Sequence, residues 1–335
     1  MRVAVCADLQ FCQQHSYSHL TPAGASRLVD RIECFRWIID AAVKRKCERL
    51  YVLGDIFDSR TSIDLPVLDA VCRAFRTGSE RIPIRVTAGN HDVYLRDSRV
   101  TSLHALATNR ITVIDKMRVM RLGSKRVACI PWVDDPAVFK KRLDRATRQG
   151  VDYVFGHAMI EGAVPQAKGL PLEWFTKGPW RIALFGDVHQ PISLNEKPVP
   201  FVGYVGCPMH MHFGDADGVR GFMVIDTDTD ELEFIENKTS PRFCVVDSLE
   251  DLDGVREVDF VRVDSADARV VKRARGIAHW VDAPPILEEG EAARIDARGM
   301  SDRQLLDAYI DQVGSEANRE KLIAMGLNFL SATTK

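Results

Sequence analysis

Six side chains along the sequence have the types that a pair of divalent metal ions needs: Asp8, Asp55, Asn90, His157, Asp187 and His189. Carboxylate, amide and imidazole ligands suit Mn²⁺, Fe or Zn²⁺, and one carboxylate can bridge two ions about 3.5–4 Å apart. Such a pair polarises a phosphate and generates hydroxide near neutral pH. His91, followed by Asp92, adds a candidate acid with an orienting carboxylate. A neighbouring negative charge favours the imidazolium that protonates a leaving oxygen. A lone Asp after an apolar run is usually a turn or a helix cap. Here five polar clusters occupy the same position.

Each cluster closes an apolar run. Residues 2–7 end at Asp8, and residues 50–53 end at Gly54-Asp55. Residues 82–87 lead to Gly89-Asn90-His91-Asp92, 151–155 to Gly156-His157, and 182–185 to Gly186-Asp187-Val188-His189. Between them, Leu28, Ile32, Phe35, Ile39 and Val43 recur three or four apart, which predicts a helix over 25–46, and 65–75 reads as another. Strands alternating with helices predict an α/β layered fold with a largely buried sheet, whose strand ends gather polar residues along one edge. After residue 200 the pattern changes. Residues 201–205, 221–226 and 231–236 read as antiparallel strands, with a turn at 227–230, completing a second sheet packed on the first. From Phe243 onward a smaller domain is expected, with a strand at 258–263 and a basic helix around 266–275. A Pro- and Glu-rich linker at about 283–291 precedes two C-terminal helices. The first opens with Ser301-Asp302-Arg303-Gln304, the S-x-x-Q form of a capping box.

In order and spacing, Asp8-Leu9-Gln10, Gly54-Asp55-Ile56-Phe57-Asp58, Gly89-Asn90-His91-Asp92, Gly156-His157 and Gly186-Asp187-Val188-His189 resemble the motifs of calcineurin-like metallophosphoesterases. Further on, Tyr204-Val205-Gly206-Cys207-Pro208, Phe213-Gly214, Gly221-Phe222 and Pro241-Arg242-Phe243 resemble the SbcD-type recombination nucleases of that superfamily. The resemblance implies that Asp8, Asp55 and His189 hold a first metal, with Asp55 bridging, and that Asn90, His157 and Asp187 hold a second. It implies that His91 contacts the scissile phosphate and protonates the leaving oxygen, with Asp92 behind it. Two positions depart from the family pattern, Gln10 and Asp187, each standing where the family has histidine. Gln10 can still coordinate through its carbonyl oxygen and Asp187 is an anionic ligand. The oxygen-rich set therefore favours Mn²⁺ or Mg²⁺ over Zn²⁺.

The implied architecture is a two-sheet α/β metallophosphoesterase sandwich flanked by helices (residues 1–242), a small α+β capping and DNA-binding domain (243–285), and a linker with C-terminal helices that dock a partner (286–335). The implied activity is that of a metal-dependent DNA exonuclease and endonuclease, acting as a homodimer with an SMC-like SbcC-type ATPase. Residues 65–75 and 98–108 are where the dimer contact is expected. Two other readings keep the same sequence. One is a phosphodiesterase for small cyclic or linear nucleotides. The other is a catalytically weak scaffold for DNA or a partner, to which Gln10 and Asp187 point.

Forty-five basic residues against 47 acidic leave a formal charge of −2, so contact with nucleic acid has to come from local patches. The best patch is Arg269, Lys272, Arg273 and Arg275, four positive charges in seven residues. His210, on a loop leaving a strand near the site, is a further candidate contact. The basic run at 140–148 reads as a solvated helix face. No apolar run approaches the ~18 residues of a membrane span. The eight cysteines are scattered without a C-x-x-C pair, which suits a reducing compartment. A cytoplasmic protein without membrane contact is expected.

Overall fold

Apolar runs that are covered on both faces become the inner strands of two stacked sheets. The computed structural model describes residues 1–95, 100–196, 199–216, 218–283, 300–313, 319–320, 322–324 and 327. The chain divides into two compact units, Met1–Ala283 and Pro284–Lys335. In chain order the first unit begins with β1 (Arg2–Cys6), a short ladder of β2 (Leu20–Thr21) with β3 (Gly24–Ala25), and α1 (Ser26–Lys44). It continues with β4 (Cys47–Leu53), α2 (Leu65–Arg81), β5 (Ile84–Thr87), β6 (Ile111–Ile114), β7 (Arg118–Leu122), β8 (Lys125–Ile130) and α3 (Pro136–Arg148). Then follow β9 (Tyr153–His157), α4 (Glu173–Thr176), β10 (Ile182–Gly186), β11 (Ile192–Ser193), β12 (Phe201–Tyr204), β13 (Gly221–Asp226) and β14 (Glu231–Glu236). It closes with β15 (Phe243–Val246), β16 (Phe260–Val263), α5 (Ala268–Ile277) and β17 (Trp280–Asp282).

The first sheet runs β14-β13-β1-β4-β5-β6 and the second β11-β12-β10-β9-β8-β7. Val3, Val5, Tyr51 and Leu53 of the first sheet pack with Tyr153, Phe155, Ile182 and Leu184 of the second. Their sequence neighbours Ala4, Cys6, Leu50 and Val52 turn the other way, onto Leu28, Phe35 and Phe75 of the helices. On the far side, Val154, Ala183 and Phe185 pack with Phe139 and Leu143 of α3. Four layers result, helix, sheet, sheet and helix, so neither alternate set of side chains meets water. β1, β4, β5 and β6 are mutually parallel, as are β8, β9, β10 and β12. Their carboxyl ends share an edge within each sheet.

The region after residue 200 departs from expectation in its pairing. β12 joins the second sheet, parallel to β10, rather than forming a hairpin partner. The β13–β14 hairpin extends the first sheet instead, with Arg2 of β1 opposite Asp226 of β13. Strand β5 starts two residues later than the apolar run, because Pro83 has no N–H to give to a ladder.

A third, wholly parallel sheet, β15-β16-β17, carries α5 on one face through Val270, Val271 and Ala274. It belongs to the first unit. Its anchor is Asp259, fully buried, which accepts from both Arg242 and Arg256, each through backbone and guanidinium. A second anchor is Arg27 of α1, also fully buried. Its Nη1 reaches Asp30 and its Nη2 donates to the His210 carbonyl, both at 2.9 Å. The same guanidinium lies 4.8 Å from the ring centre of Phe260 and 5.2 Å from that of Phe243. The Tyr17 ring meets Phe213, Phe243 and Phe260 edge-on.

In the second unit, α6 (Asp302–Val313) begins as its sequence signals. The Ser301 N–H donates to Gln304 Oε1 at 2.8 Å, and the Gln304 N–H to Ser301 Oγ at 3.4 Å, a reciprocal cap. The linker expected at 283–291 falls, after Ala283, outside the described residues, as do Phe329 and Leu330 of the last expected helix and Ser98 of the expected dimer contact. Among the described residues no helix is long and apolar enough to cross a membrane.

Candidate metal centre

The five polar clusters sit at the carboxyl ends of β1, β4, β5, β9 and β10, and the backbone there is bent tightly enough to turn each side chain inward. Asp8, Gln10 and Asp55 have φ of 53°, 44° and 53°, and Asp187 has 107°, all in the left-handed region. Non-glycine residues enter that region at a cost and do so mostly at functional sites. Glycines make the close approach possible. A Cβ on Gly54 would stand 2.3 Å from His157 Nδ1, and one on Gly89 would stand 2.2 Å from Asp55 Oδ1. The lack of a side chain at these positions lets the loops press together around the carboxylates.

Asp8, Asp55 and His157 are buried, and their ligand atoms all lie within 4.8 Å of one another. His157 donates from Nδ1 to the Leu53 carbonyl at 2.8 Å, so Nε2 is the nitrogen that faces inward. That Nε2 lies 2.7 Å from Asn90 Oδ1, 3.4 Å from Asp55 Oδ1 and 3.6 Å from Asp187 Oδ1. An imidazole tethered through its far N–H to a carbonyl, with the near nitrogen among oxygen donors, is the arrangement metal-binding histidines adopt. Gln10 joins from the other side, its amide nitrogen 3.0 Å from His189 Nε2. The Asp187 N–H points at both Asp8 oxygens, at 3.1 and 3.2 Å.

The charge balance of the pocket tests whether ions fit. Two buried carboxylates, Asp8 and Asp55, and the half-buried Asp187 meet one buried histidine, and among the described residues no Lys or Arg pairs with any of the three. Burial, with Asp55 and Asp187 alongside, pushes the Asp8 carboxyl well above its usual range. Burial by itself would lower His157, yet Asp55, Asp187 and Asp8 together hold it well above an ordinary imidazole. Without an ion such a cluster holds protons to balance its charge; a divalent cation would take their place. The donor set fits divalent ions, four residues to a side if Asp55 is shared.

Two expectations about neighbouring residues need correction. Asp92 does not stand behind His91. Both its oxygens are taken by backbone N–H groups, those of Asp55 (2.8 Å), Ile56 (3.0 Å), Phe57 (3.3 Å) and Gly89 (2.9 Å). It fastens the Gly54–Asp58 loop to the Gly89–Asp92 loop. The partner of His91 is the Asp58 carbonyl, 2.5 Å from Nδ1. A carbonyl only accepts, so Nδ1 carries the proton and Nε2 is left for a substrate. His210, expected as a DNA contact, is 7 % exposed and out of a duplex's reach, and burial lowers its imidazole to about 4. Backbone partners such as the Leu53 and Asp58 carbonyls carry no side-chain signature, so the sequence had no means of marking them.

His189, His212 and Asp215 form a second group with ligand atoms within 4.8 Å. Its members are already engaged. Asp215 Oδ1 pairs with buried Arg220 at 2.9 Å and Oδ2 accepts the Met211 N–H at 2.8 Å, while His212 Nδ1 accepts from Gly214 at 3.0 Å. Arg269, Lys272, Arg273 and Arg275 all lie exposed on α5, away from its buried stripe. Two of them are neutralised locally, Arg269 by Asp267 and Arg273 by Asp253.

The calcineurin-like phosphoesterase family model matches residues 1–191, more than half of the chain. Among curated proteins, "Exonuclease subunit 1" of enterobacteria phage T4 is 26 % identical over 198 residues, covering 56 % of this chain. The chain spans 55 % of the length of that relative. Solved structures with a similar fold include an archaeal phosphodiesterase (13 % identical, 71 % of this chain and 100 % of that one, TM-score 0.39). A protein from Thermus thermophilus is 11 % identical, covering 70 % of this chain and 98 % of that one, with TM-score 0.44. A purple acid phosphatase from yellow lupin (Lupinus luteus) seeds is 13 % identical, covering 76 % of this chain and 55 % of that one, with TM-score 0.42.

Proposed function

The chain belongs to the calcineurin-like phosphoesterase family, and from that premise we propose that it is a metal-dependent DNA nuclease of the SbcD type. The observation that carries the metal part of this reading is the tethered His157, whose free nitrogen lies among Asn90, Asp55 and Asp187. Two kinds of support favour DNA: the similarity of 198 residues of the chain to a phage exonuclease subunit, and the small sheet with its exposed basic helix.

Asp8, Gln10, Asp55 and His189 would hold one ion, and Asp55, Asn90, His157 and Asp187 the other. Bound divalent ions supply Lewis-acid polarisation of the phosphate and a water acidified toward neutral pH. The oxygen-rich set favours Mn²⁺ or Mg²⁺. The protein's own contribution is orientation and proton delivery. In its doubly protonated form His91, with Nδ1–H held by the Asp58 carbonyl, presents Nε2–H to the leaving oxygen, gives it that proton and is left as a neutral imidazole. Asp92 keeps His91 and Asp55 in register by tying their loops together. Four exposed cations on α5 meet backbone phosphates, with Arg269 and Arg273 exchanging their carboxylate partners for them. A homodimer formed through α2, whose Leu65 is 78 % exposed, and an SMC-like ATPase bound through the C-terminal helices complete the proposal.

The test is cleavage of end-labelled duplex and single-stranded DNA with Mn²⁺, Mg²⁺, Zn²⁺ or EDTA. Mn²⁺-dependent cutting is expected, and His91→Ala should lower kcat by about 10²–10⁴-fold without changing the number of ions bound. Hydrolysis of small diesters with DNA intact and not competing would instead make this a small-substrate phosphodiesterase.

A further inference from the structure

Beside the His91 loop lies a cavity of about 390 Å³, inside the ~300–1,000 Å³ span of small-molecule sites. Ala88 and Val93, the two residues that bracket Gly89–Asp92, form one wall; Trp132, Val138, Lys116 and Arg142 contribute to the others. Trp132 is fixed against the loop by its backbone, its N–H donating to the Ala88 carbonyl at 2.9 Å. Its side chain is half-buried, and the Arg60 guanidinium sits 5.2 Å from the centre of its ring. Arg60 stands two residues beyond Asp58, whose carbonyl holds His91. Trp132 lines the cavity, and Arg60 lies over its ring without lining the cavity itself.

His91 delivers its proton to the leaving oxygen, so the group bearing that oxygen has to lie on the His91 side of the centre. The cavity adjoins the loop that carries His91, and its lining sets Lys116 and Arg142 against Asp115, Asp134 and Asp135, so what it offers a ligand is an aromatic wall rather than net positive charge. Every base has a π-face, and stacking on an aromatic side chain is tolerant of sequence. We infer that the Trp132 cavity is a stacking subsite for the base of the nucleotide that leaves. The inference rests on the phosphodiesterase reading above and narrows its substrate to diesters that carry a heterocyclic base beside the scissile bond. Trp132 lies outside every basic run, between Pro131 and Val133, and nothing in its sequence neighbourhood points to nucleic acid.

Two oligonucleotides that differ only at the leaving-side nucleotide, one normal and one abasic, separate this from a structural role for Trp132. With Mn²⁺, the wild type should cut the normal bond with a kcat/KM about 5- to 100-fold above the abasic one, the range of a single base–aromatic stack. Trp132→Ala should bring that ratio close to one, and Trp132→Phe should keep most of it. A ratio near one in the wild type, or an unchanged ratio in Trp132→Ala, overturns the subsite. Saturation-transfer NMR with deoxyadenosine monophosphate and no metal gives a second readout. Base protons should receive saturation from the wild type and from Trp132→Phe, and not from Trp132→Ala. A Trp132-dependent signal with no DNA cut by the wild type keeps the subsite and removes the nuclease reading. Cutting with neither base preference nor signal does the reverse.

Discussion

Position 10 is where this chain's chemistry turns from nitrogen to oxygen. Gln10 sits at φ 44° with its amide against His189, so a residue placed there is already aimed at the centre. Histidine is among the side chains that tolerate this backbone region. Gln10→His should therefore fold and add an imidazole to the first ion's donors. Residues that merely orient a ligand are worth about 10–100-fold in metal affinity, so a direct ligand should gain at least about tenfold, with Zn²⁺ gaining most. Calorimetric titration of both variants with Zn²⁺ and Mn²⁺ reads this directly, and equal affinities would remove Gln10 from the donor set. Side chains such as Asp8, Asp55 and His157, whose ligand atoms the fold brings within 4.8 Å, were legible because the chemistry resides in the residue type. The role of Asp92 was not. Its work is to accept backbone N–H groups, and nothing in the types of residues 55–57 announces that they donate.

Elements matter here chiefly through what fastens them. Asp92→Ala would leave four buried N–H groups without acceptors, and one such group costs about 1–3 kcal/mol. We expect a loss of at least about 3 kcal/mol by urea denaturation, together with lost metal binding. Asp92→Asn should recover part of both, because its single carbonyl oxygen replaces half the acceptor. The small sheet hangs on a different carboxylate. Burial would raise Asp259, but hydrogen bonds from Arg256 and Arg242 hold it below the usual carboxylate range. A depressed folded pKa stabilises above the unfolded value of about 3.9 and is lost as the pH falls through the folded one. Stability from this anchor should thus be constant across neutral pH and fade only in strong acid. Asp259→Asn, with the charge gone, should flatten that acid limb; a limb unchanged in the variant would place the acid sensitivity elsewhere. From the sequence, helices and inner strands could be read because their periodicity is local. The placement of β13 and β14 beside β1 could not be, since it is decided by which sheet has a free edge some 200 residues away. The three parallel strands of the small sheet escaped for the same reason, with only the middle one evident.

For the molecule as a whole, the two units ask for separate experiments. If the C-terminal helices dock an SMC-like ATPase, full-length protein should capture that ATPase in a pull-down, and deletion of residues 295–335 should abolish capture while the first unit still binds metal. Capture unaffected by the deletion would move the docking surface into residues 1–294. Within that first unit, the small sheet is coupled to one side of the centre more than the other. Tyr17, on the loop that follows Asp8 and Gln10, touches Phe213, Phe243 and Phe260, and Phe213 directly follows His212, which neighbours His189. Through Tyr17 and Phe213 the small sheet is thus packed against the segments that lead to Gln10 and to His212, the neighbour of His189. If the proposed nuclease reading holds, a load placed on the small sheet would reach Gln10 and His189 before it reached the Asp55–Asn90–His157 side, which Asp92 braces.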